Sequence, residues 1–181
     1  MIHVSALVAH DMNNLIGVGS IIPWKMRDDL KLFKERTMGH YCIVGRKTFD
    51  AMPELKGRKF VVVSKSIAES GRNPYDEETT IIASSLKQAI ILSKTGAYTE
   101  GQDEVFVIGG GEIYKDAMPH VTRVYATEID AEVFPMDRKQ AIYFPRLSWE
   151  LWEEDREQRV SIKRDDRNAY NAEVKTYYRV G

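Results

Sequence analysis

The sequence predicts an α/β fold built on a mostly parallel sheet, and three patterns carry that prediction. Short runs rich in β-branched residues recur at Ile2 to Ala9, Tyr41 to Val44, Lys59 to Ser64, Thr79 to Ala83, Glu104 to Ile108 and Val121 to Ile129. Several are apolar throughout instead of alternating, as strands covered on both faces must be. Helix-forming stretches lie between them, as the crossovers of parallel strands require. After Trp149 the pattern changes. Trp149 to Glu153 and Glu173 to Tyr177 alternate across a polar loop with Asp165, Asp166 and Asn168, which reads as an antiparallel hairpin closing one sheet edge.

Three helices follow from their punctuation. The first covers Asp28 to Thr37 and turns Leu30 and Phe33 inward, leaving Asp28 to solvent. The second begins after Ser85, where Ser85-Leu86-Lys87-Gln88 forms a capping box, and Gly96 reads as its stop. The third runs from about Gly111 to Met118 and ends at Pro119.

With 181 residues and no repeat, linker or low-complexity stretch, the chain is expected to form a single domain over 1–181. Lys and Arg total 26 against 27 Asp and Glu, a net charge of −1 that gives no footprint for nucleic acid or an anionic membrane. A small-molecule ligand is the better expectation. Cys42 is alone, so no intramolecular disulfide can form, and His3, His10, His40 and His120 lack metal-ligand spacing. No apolar run approaches a membrane span and the start has no leader pattern, so a cytoplasmic protein is expected.

The chemistry is expected in the loops that leave strands, where open α/β sheets bind ligands. The stretch Leu15 to Trp24, with Gly17 and Gly19, is such a loop; alone it is equally well an ordinary connector. Asp29 starts a helix and borders its apolar face. It is either a helix-dipole acid or a carboxylate in an apolar cleft, with raised pKa, gripping an amidine-like heterocycle. Val44 to Thr48 and Ile108 to Tyr114 each pass from strand to helix through glycine, offering backbone N–H groups to phosphate. A bare Gly109-Gly110-Gly111 is also a common tight turn. Gly57-Arg58-Lys59 before a strand is a solvated turn or an arginine fork for a carboxylate.

Taken in order, these segments resemble the dihydrofolate reductase family from end to end. The matching pieces are Ile16-Gly17 with Ile22-Pro23-Trp24, Asp29-Leu30 with Phe33-Lys34, Thr37, Gly45 to Phe49, Leu55 with Gly57-Arg58, Ile108 to Gly111 with Tyr114, and Thr127 with Ile129-Asp130-Ala131. Tyr143-Phe144-Pro145 and the terminal hairpin continue the pattern. The resemblance implies a mostly parallel central sheet with an antiparallel last strand, about four flanking helices, and a cleft holding folate beside NADPH.

Residue by residue, the resemblance makes Asp29 the pterin-binding acid and Thr127 its hydrogen-bonded neighbour. Ser5, Leu7, Leu30, Phe33, Met52, Leu55 and Ile108 fall on the substrate side, with Arg58 for the glutamate α-carboxylate and Lys34 near the same tail. Trp24, Ile22 and Tyr114 complete the reactive end. On the cofactor side fall Leu7, Ile16, Gly17 and Ser20 around the nicotinamide and its closing loop. Gly45, Arg46, Lys47, Thr48, Val63, Ser64 and Lys65 match the adenosine-phosphate pocket, and Gly109, Gly110, Gly111, Glu112, Ile113 and Tyr114 the pyrophosphate turn. Family members carry a cis peptide at the position of Gly109-Gly110.

Three departures stand out: extra residues in His10 to Asn14, more in Met136 to Ile142, and Glu112 with Lys65 where the family often has a base and a small hydroxyl. The last two could be a compensating charge swap. The implied reaction is hydride transfer from NADPH to C6 of 7,8-dihydrofolate with protonation of N5, by a monomer that also takes antifolates. The alternatives are a riboflavin-pathway pyrimidine reductase and a non-catalytic nucleotide-binding or structural descendant of the fold. Asp29 with Phe33 and Arg58 argues against the first, and intact pterin and cofactor motifs together argue against the second.

Overall fold

The computed structural model describes residues 1–181. In chain order its strands are β1 (His3–His10), β2 (Leu15–Val18), β3 (Tyr41–Gly45), β4 (Lys59–Val63), β5 (Thr80–Ala83), β6 (Glu104–Val107), β7 (Arg123–Ile129), β8 (Ala141–Tyr143), β9 (Trp152–Ile162) and β10 (Ala172–Arg179). Eight of them form one sheet in the order β5-β4-β3-β6-β1-β7-β10-β9. All neighbours pair parallel except β10, which is antiparallel to both β7 and β9. The predicted α/β class and the antiparallel C-terminal strand are thus observed.

The helices are α1 (Arg27–Thr37), α2 (Arg46–Ala51), α3 (Lys65–Ser70), α4 (Leu86–Thr99) and α5 (Gly111–Ala117), one more than the four expected. The short α2 and α3 start directly at strand ends. Between β1 and α1, Leu15–Val18 is strand instead of open loop, because it pairs antiparallel with β8. The hairpin strand predicted from Trp149 begins at Trp152, and Trp149 is exposed. Pro119 lies inside a 3-10 turn, Met118–His120, that continues from α5.

Apolar residues cover both sheet faces, which explains the unbroken apolar runs. On one face Val4, Ala6, Val8, Ile43, Val61, Val105, Val107 and Val124 pack under Ala89, Ile90 and Ala97 of α4 and Tyr114 and Ala117 of α5. On the other, Cys42, Val44, Phe60, Val62, Phe106, Ile108 and Tyr125 meet Phe33 of α1 with Met52 and Leu55 beyond α2. A third cluster of Met26, Ile129, Ala131, Ile162, Ala172 and Val174 supports Trp24.

Gly96 does not stop α4, which continues to Thr99. It is a packing gap: a Cβ there would run into the Tyr41 ring, whose hydroxyl donates to Glu100 Oε1 at 2.7 Å. Alanine would add helix propensity worth about 1 kcal/mol, but overpacking at a fixed aromatic costs about 1–3 kcal/mol. Gly96→Ala is therefore expected to lower the melting temperature by up to roughly 8 °C in a thermal scan. A higher value would mean that Tyr41 moves aside freely.

Candidate active site

Helix α1 crosses the sheet face near the carboxyl ends of β1 and β7 and carries Asp29 in its first turn. The Thr127 hydroxyl donates to Asp29 Oδ1 at 2.5 Å, and Thr127 is itself buried on β7, opposite Ala9 of β1 and Val174 of β10. Burial pushes the Asp29 carboxyl above the usual carboxylate range, and the Thr127 hydrogen bond pulls it partly back. A carboxylate held so, with a single protein donor, retains acceptor capacity for a ligand.

The expected walls converge beside it. Leu7, Phe33, Met52, Leu55 and Ile108 all belong to the one apolar cluster of this face. Leu30 is 47% exposed on the rim, and Ile22 stands 66% exposed beyond it. Trp24 packs on the neighbouring cluster of Met26 and Ile129. Ser5 does not offer its hydroxyl to the cleft: it is fully buried and donates to the Glu104 carboxylate. Glu104 also receives Arg123 at 3.0 Å and Tyr125 at 3.1 Å, so Ser5 belongs to a polar network beneath the pocket.

Arg58 is buried at the far end of the groove. Its Nε donates to Thr37 Oγ1 at 2.9 Å, and its terminal nitrogens donate to the carbonyls of Lys56 and Lys34. A guanidinium has five N–H groups, so three are anchored and one on each terminal nitrogen stays available, the fork that a carboxylate fits. Thr37, whose hydroxyl also donates to the Phe33 carbonyl at 2.8 Å, was visible in sequence only as a matching residue; its hold on Arg58 was not. Lys34 is exposed nearby, where its backbone is the part engaged.

Across the sheet, the carboxyl ends of the adjacent strands β4, β3 and β6 each run into a helix. Gly45 N donates to Gly109 O at 2.8 Å, joining two of these junctions. A Cβ on Gly110 would lie 2.7 Å from Thr48 Oγ1, so only glycine lets the two turns meet and leaves the backbone open to a phosphate. The Gly109-Gly110 peptide is cis. Arg46 and Lys47 are exposed at one junction; at the other, buried Ser64 caps α3 and Lys65 lies 3.7 Å from Glu69. Lys65 pairs with Glu69, and Glu112 has no ion-pair partner. Val63 and Ile113 pack against the core beneath.

Between the two regions, the buried Tyr114 hydroxyl donates to the Leu7 carbonyl at 2.6 Å. Burial, with the Asp29 charge second, raises its phenol far enough that it stays a neutral donor. Ile16 packs on the core and Gly17 is buried, while Gly19 and Ser20 are exposed in the turn between β2 and α1. That turn is tied to the long 136–142 segment, for Gly19 N donates to Gln140 O at 2.8 Å. The connection from β1 to β2 is anchored by Asp11, fully buried, whose carboxylate accepts from the N–H groups of Asn13, Leu15 and Val133.

Asp28 is not the solvent-facing residue expected. Arg167 and Asn168 both donate to its carboxylate at 2.8 Å, which joins the start of α1 to the β9–β10 loop.

A sequence model of the family described as dihydrofolate reductase matches residues 3–179. Similar proteins include dihydrofolate reductase type 3 of Salmonella typhimurium, 35% identical over 99% of this chain and 98% of that protein. The dihydrofolate reductase of Bacillus subtilis is 34% identical over 96% of this chain and 93% of its own. Among solved structures, dihydrofolate reductase from Enterococcus faecalis, complexed with NADP(H) and RAB-propyl, superposes with a TM-score of 0.75 at 28% identity, covering 99% and 97% of the two chains.

Proposed function

The chain belongs to the dihydrofolate reductase family and reduces 7,8-dihydrofolate to 5,6,7,8-tetrahydrofolate with NADPH, and from that premise we propose how its own residues do so. The observation that carries the proposal is the Asp29–Thr127 pair, a carboxylate with one protein donor at the mouth of an apolar cleft. Asp29 takes the paired N–H groups of the pterin's amidine-like edge. Thr127 orients that carboxylate, and Leu7, Phe33, Met52, Leu55 and Ile108 enclose the ring and the aminobenzoyl group. Arg58 receives the glutamate α-carboxylate with its two free N–H groups. An antifolate presenting the same edge competes for Asp29.

The glycine-linked junctions at Gly45–Thr48 and Gly109–Gly111 fit a dinucleotide pyrophosphate, and Arg46, Lys47, Ser64 and Lys65 fit a 2′-phosphate. NADPH, when bound, supplies a hydride from nicotinamide C4 to pterin C6. Asp29 raises the basicity of N5 through its negative charge, while water delivers the proton. Tyr114 fixes the Leu7 carbonyl against which the carboxamide is held, and the Gly17 to Ile22 segment excludes solvent.

Two assays test this reading. Loss of NADPH absorbance should require dihydrofolate and stop on adding an antifolate; turnover of a ribosylaminopyrimidine in its place would favour the riboflavin-pathway reductase. Two charge-assisted bonds to the 2′-phosphate, at roughly 1.5–3 kcal/mol each, should favour NADPH over NADH by about a hundredfold or more in kcat/KM. Equal values would mean that Glu112 cancels the cluster.

A further inference from the structure

Helix α1 lacks a cap of its own. Met26 occupies the N-cap position and makes no side-chain hydrogen bond to the first turn. The missing acceptor comes from the far end of the sequence: Asn168 Oδ1 accepts from the backbone N–H of Asp28 at 3.1 Å. That is the second helical position, which a local Ser or Asp cap would serve. The preceding N–H, on Arg27, donates to the carbonyl of Arg167 at 3.2 Å, and Ala169 N donates back to Lys25 O at 2.9 Å.

The amide of Asn168 is committed on every side. Its Nδ2 donates to Asp28 Oδ2 at 2.8 Å and to Asp165 Oδ1 at 3.1 Å, and the residue is 1% exposed. The two carboxylates fix which way the amide points, since a flip would set its oxygen against both. Arg167 covers the other oxygen of Asp28, so the two neighbouring acids of the turn are treated differently. Asp28 is engaged by the loop, through Arg167 and Asn168, and Asp29 is left to the cleft.

The same hairpin also holds the partner of Asp29. Beyond the loop, β10 pairs with β7 so that Val174 lies opposite Thr127. Both ends of the Asp29–Thr127 hydrogen bond are therefore set by one segment, the loop holding the helix turn and the strand holding the threonine. We propose that Asn168 is a positioning residue for the reaction, which caps α1 from across the molecule and thereby fixes the turn that aims Asp29 at the pterin. This rests on Asp29 being the pterin-binding acid.

The test is a double-mutant cycle on Asn168→Ala and Asp28→Ala, read by single-turnover hydride transfer and by NADPH affinity, well below each variant's melting temperature. Misplacing the acid should slow hydride transfer roughly 10- to 100-fold in each single variant while NADPH affinity moves less than about twofold. Because both side chains act through one clasp, the double variant should be no slower than the slower single. Asn168→Ser, which keeps an acceptor oxygen, serves if alanine does not fold, and Asp166→Asn on the exposed part of the loop should leave the rate unchanged. Variants that melt lower yet transfer hydride at the wild-type rate, or effects that simply multiply, would overturn the proposal. Asp29→Asn run in parallel separates the two readings. If it keeps its rate, the pterin-binding role of Asp29 fails; if it loses the rate while the Asn168 variants do not, only the role of Asn168 fails.

Discussion

Asp29→Asn is expected to lower single-turnover hydride transfer at neutral pH by about two orders of magnitude or more, while NADPH affinity stays near that of the unaltered enzyme. The substitution keeps the shape and the acceptor oxygen that Thr127 grips at 2.5 Å, so the pocket survives. What goes is the negative charge facing the pterin. Charge-assisted hydrogen bonds are roughly twice as strong as neutral ones, and the field that favours a proton on N5 disappears with the charge. Lowering the pH should restore part of the rate, because bulk acid then protonates N5 before the hydride arrives. The phosphate junctions lie at β3, β4 and β6, away from α1, which is why cofactor affinity is spared.

The same substitution should not destabilise the ligand-free protein. Burial raises the Asp29 carboxyl above its unfolded value, so between the two values the folded state binds the proton more tightly. Stability from this group is present at low pH and lost as pH rises through the folded value. Asparagine carries no such loss. Its melting temperature should therefore equal or exceed that of the unaltered protein at neutral pH, with the difference vanishing in acid. Reduced activity together with a lower melting temperature would point to unfolding instead of lost chemistry.

Arg58→Ala is expected to raise KM for dihydrofolate on the order of a hundredfold and to change kcat little. Removing one partner of a buried, hydrogen-bonded charge pair costs about 2–5 kcal/mol, and about 2.7 kcal/mol is a factor of a hundred. Uniform loss of that binding appears in KM, because the glutamate tail is remote from the reacting carbon. Arg58 also ties Thr37 to the carbonyls of Lys34 and Lys56, so alanine will lower thermal stability as well. Arg58→Lys keeps the charge but loses the fork, and should show an intermediate KM. A substrate analogue without the glutamate should bind both forms alike; an unchanged KM for dihydrofolate would exclude the role.

Much of the fold was legible because its signals are local. The apolar runs of β1, β3, β4, β6 and β7 announce burial on both faces, and Ser85 does cap α4. The candidate site was legible in its parts, since Asp29, Phe33, Met52, Leu55 and Arg58 sit in recognisable stretches. What sequence missed depends on contacts between distant segments. Gly96 reads as a helix stop until the Tyr41 ring is seen filling the space of its side chain. Leu15–Val18 reads as loop until β8 supplies a strand partner. Asp28 reads as solvent-facing because nothing near it in sequence hints at Asn168. Ser5 reads as a substrate contact until Glu104, on the neighbouring strand, takes its hydroxyl.

The measurement that bears most directly on the central claim is the pH titration of the Asp29 side-chain carbon by NMR in carboxyl-labelled protein, with and without a bound antifolate. In the free protein the carboxyl should titrate above the ordinary carboxylate range, since burial outweighs the single hydrogen bond from Thr127. Once an amidine-like cation pairs with it, the carboxylate should stay ionised well below that range while the antifolate remains bound. A titration curve that the antifolate leaves in place would contradict the account, because Asp29 would then not be the group that holds the pterin.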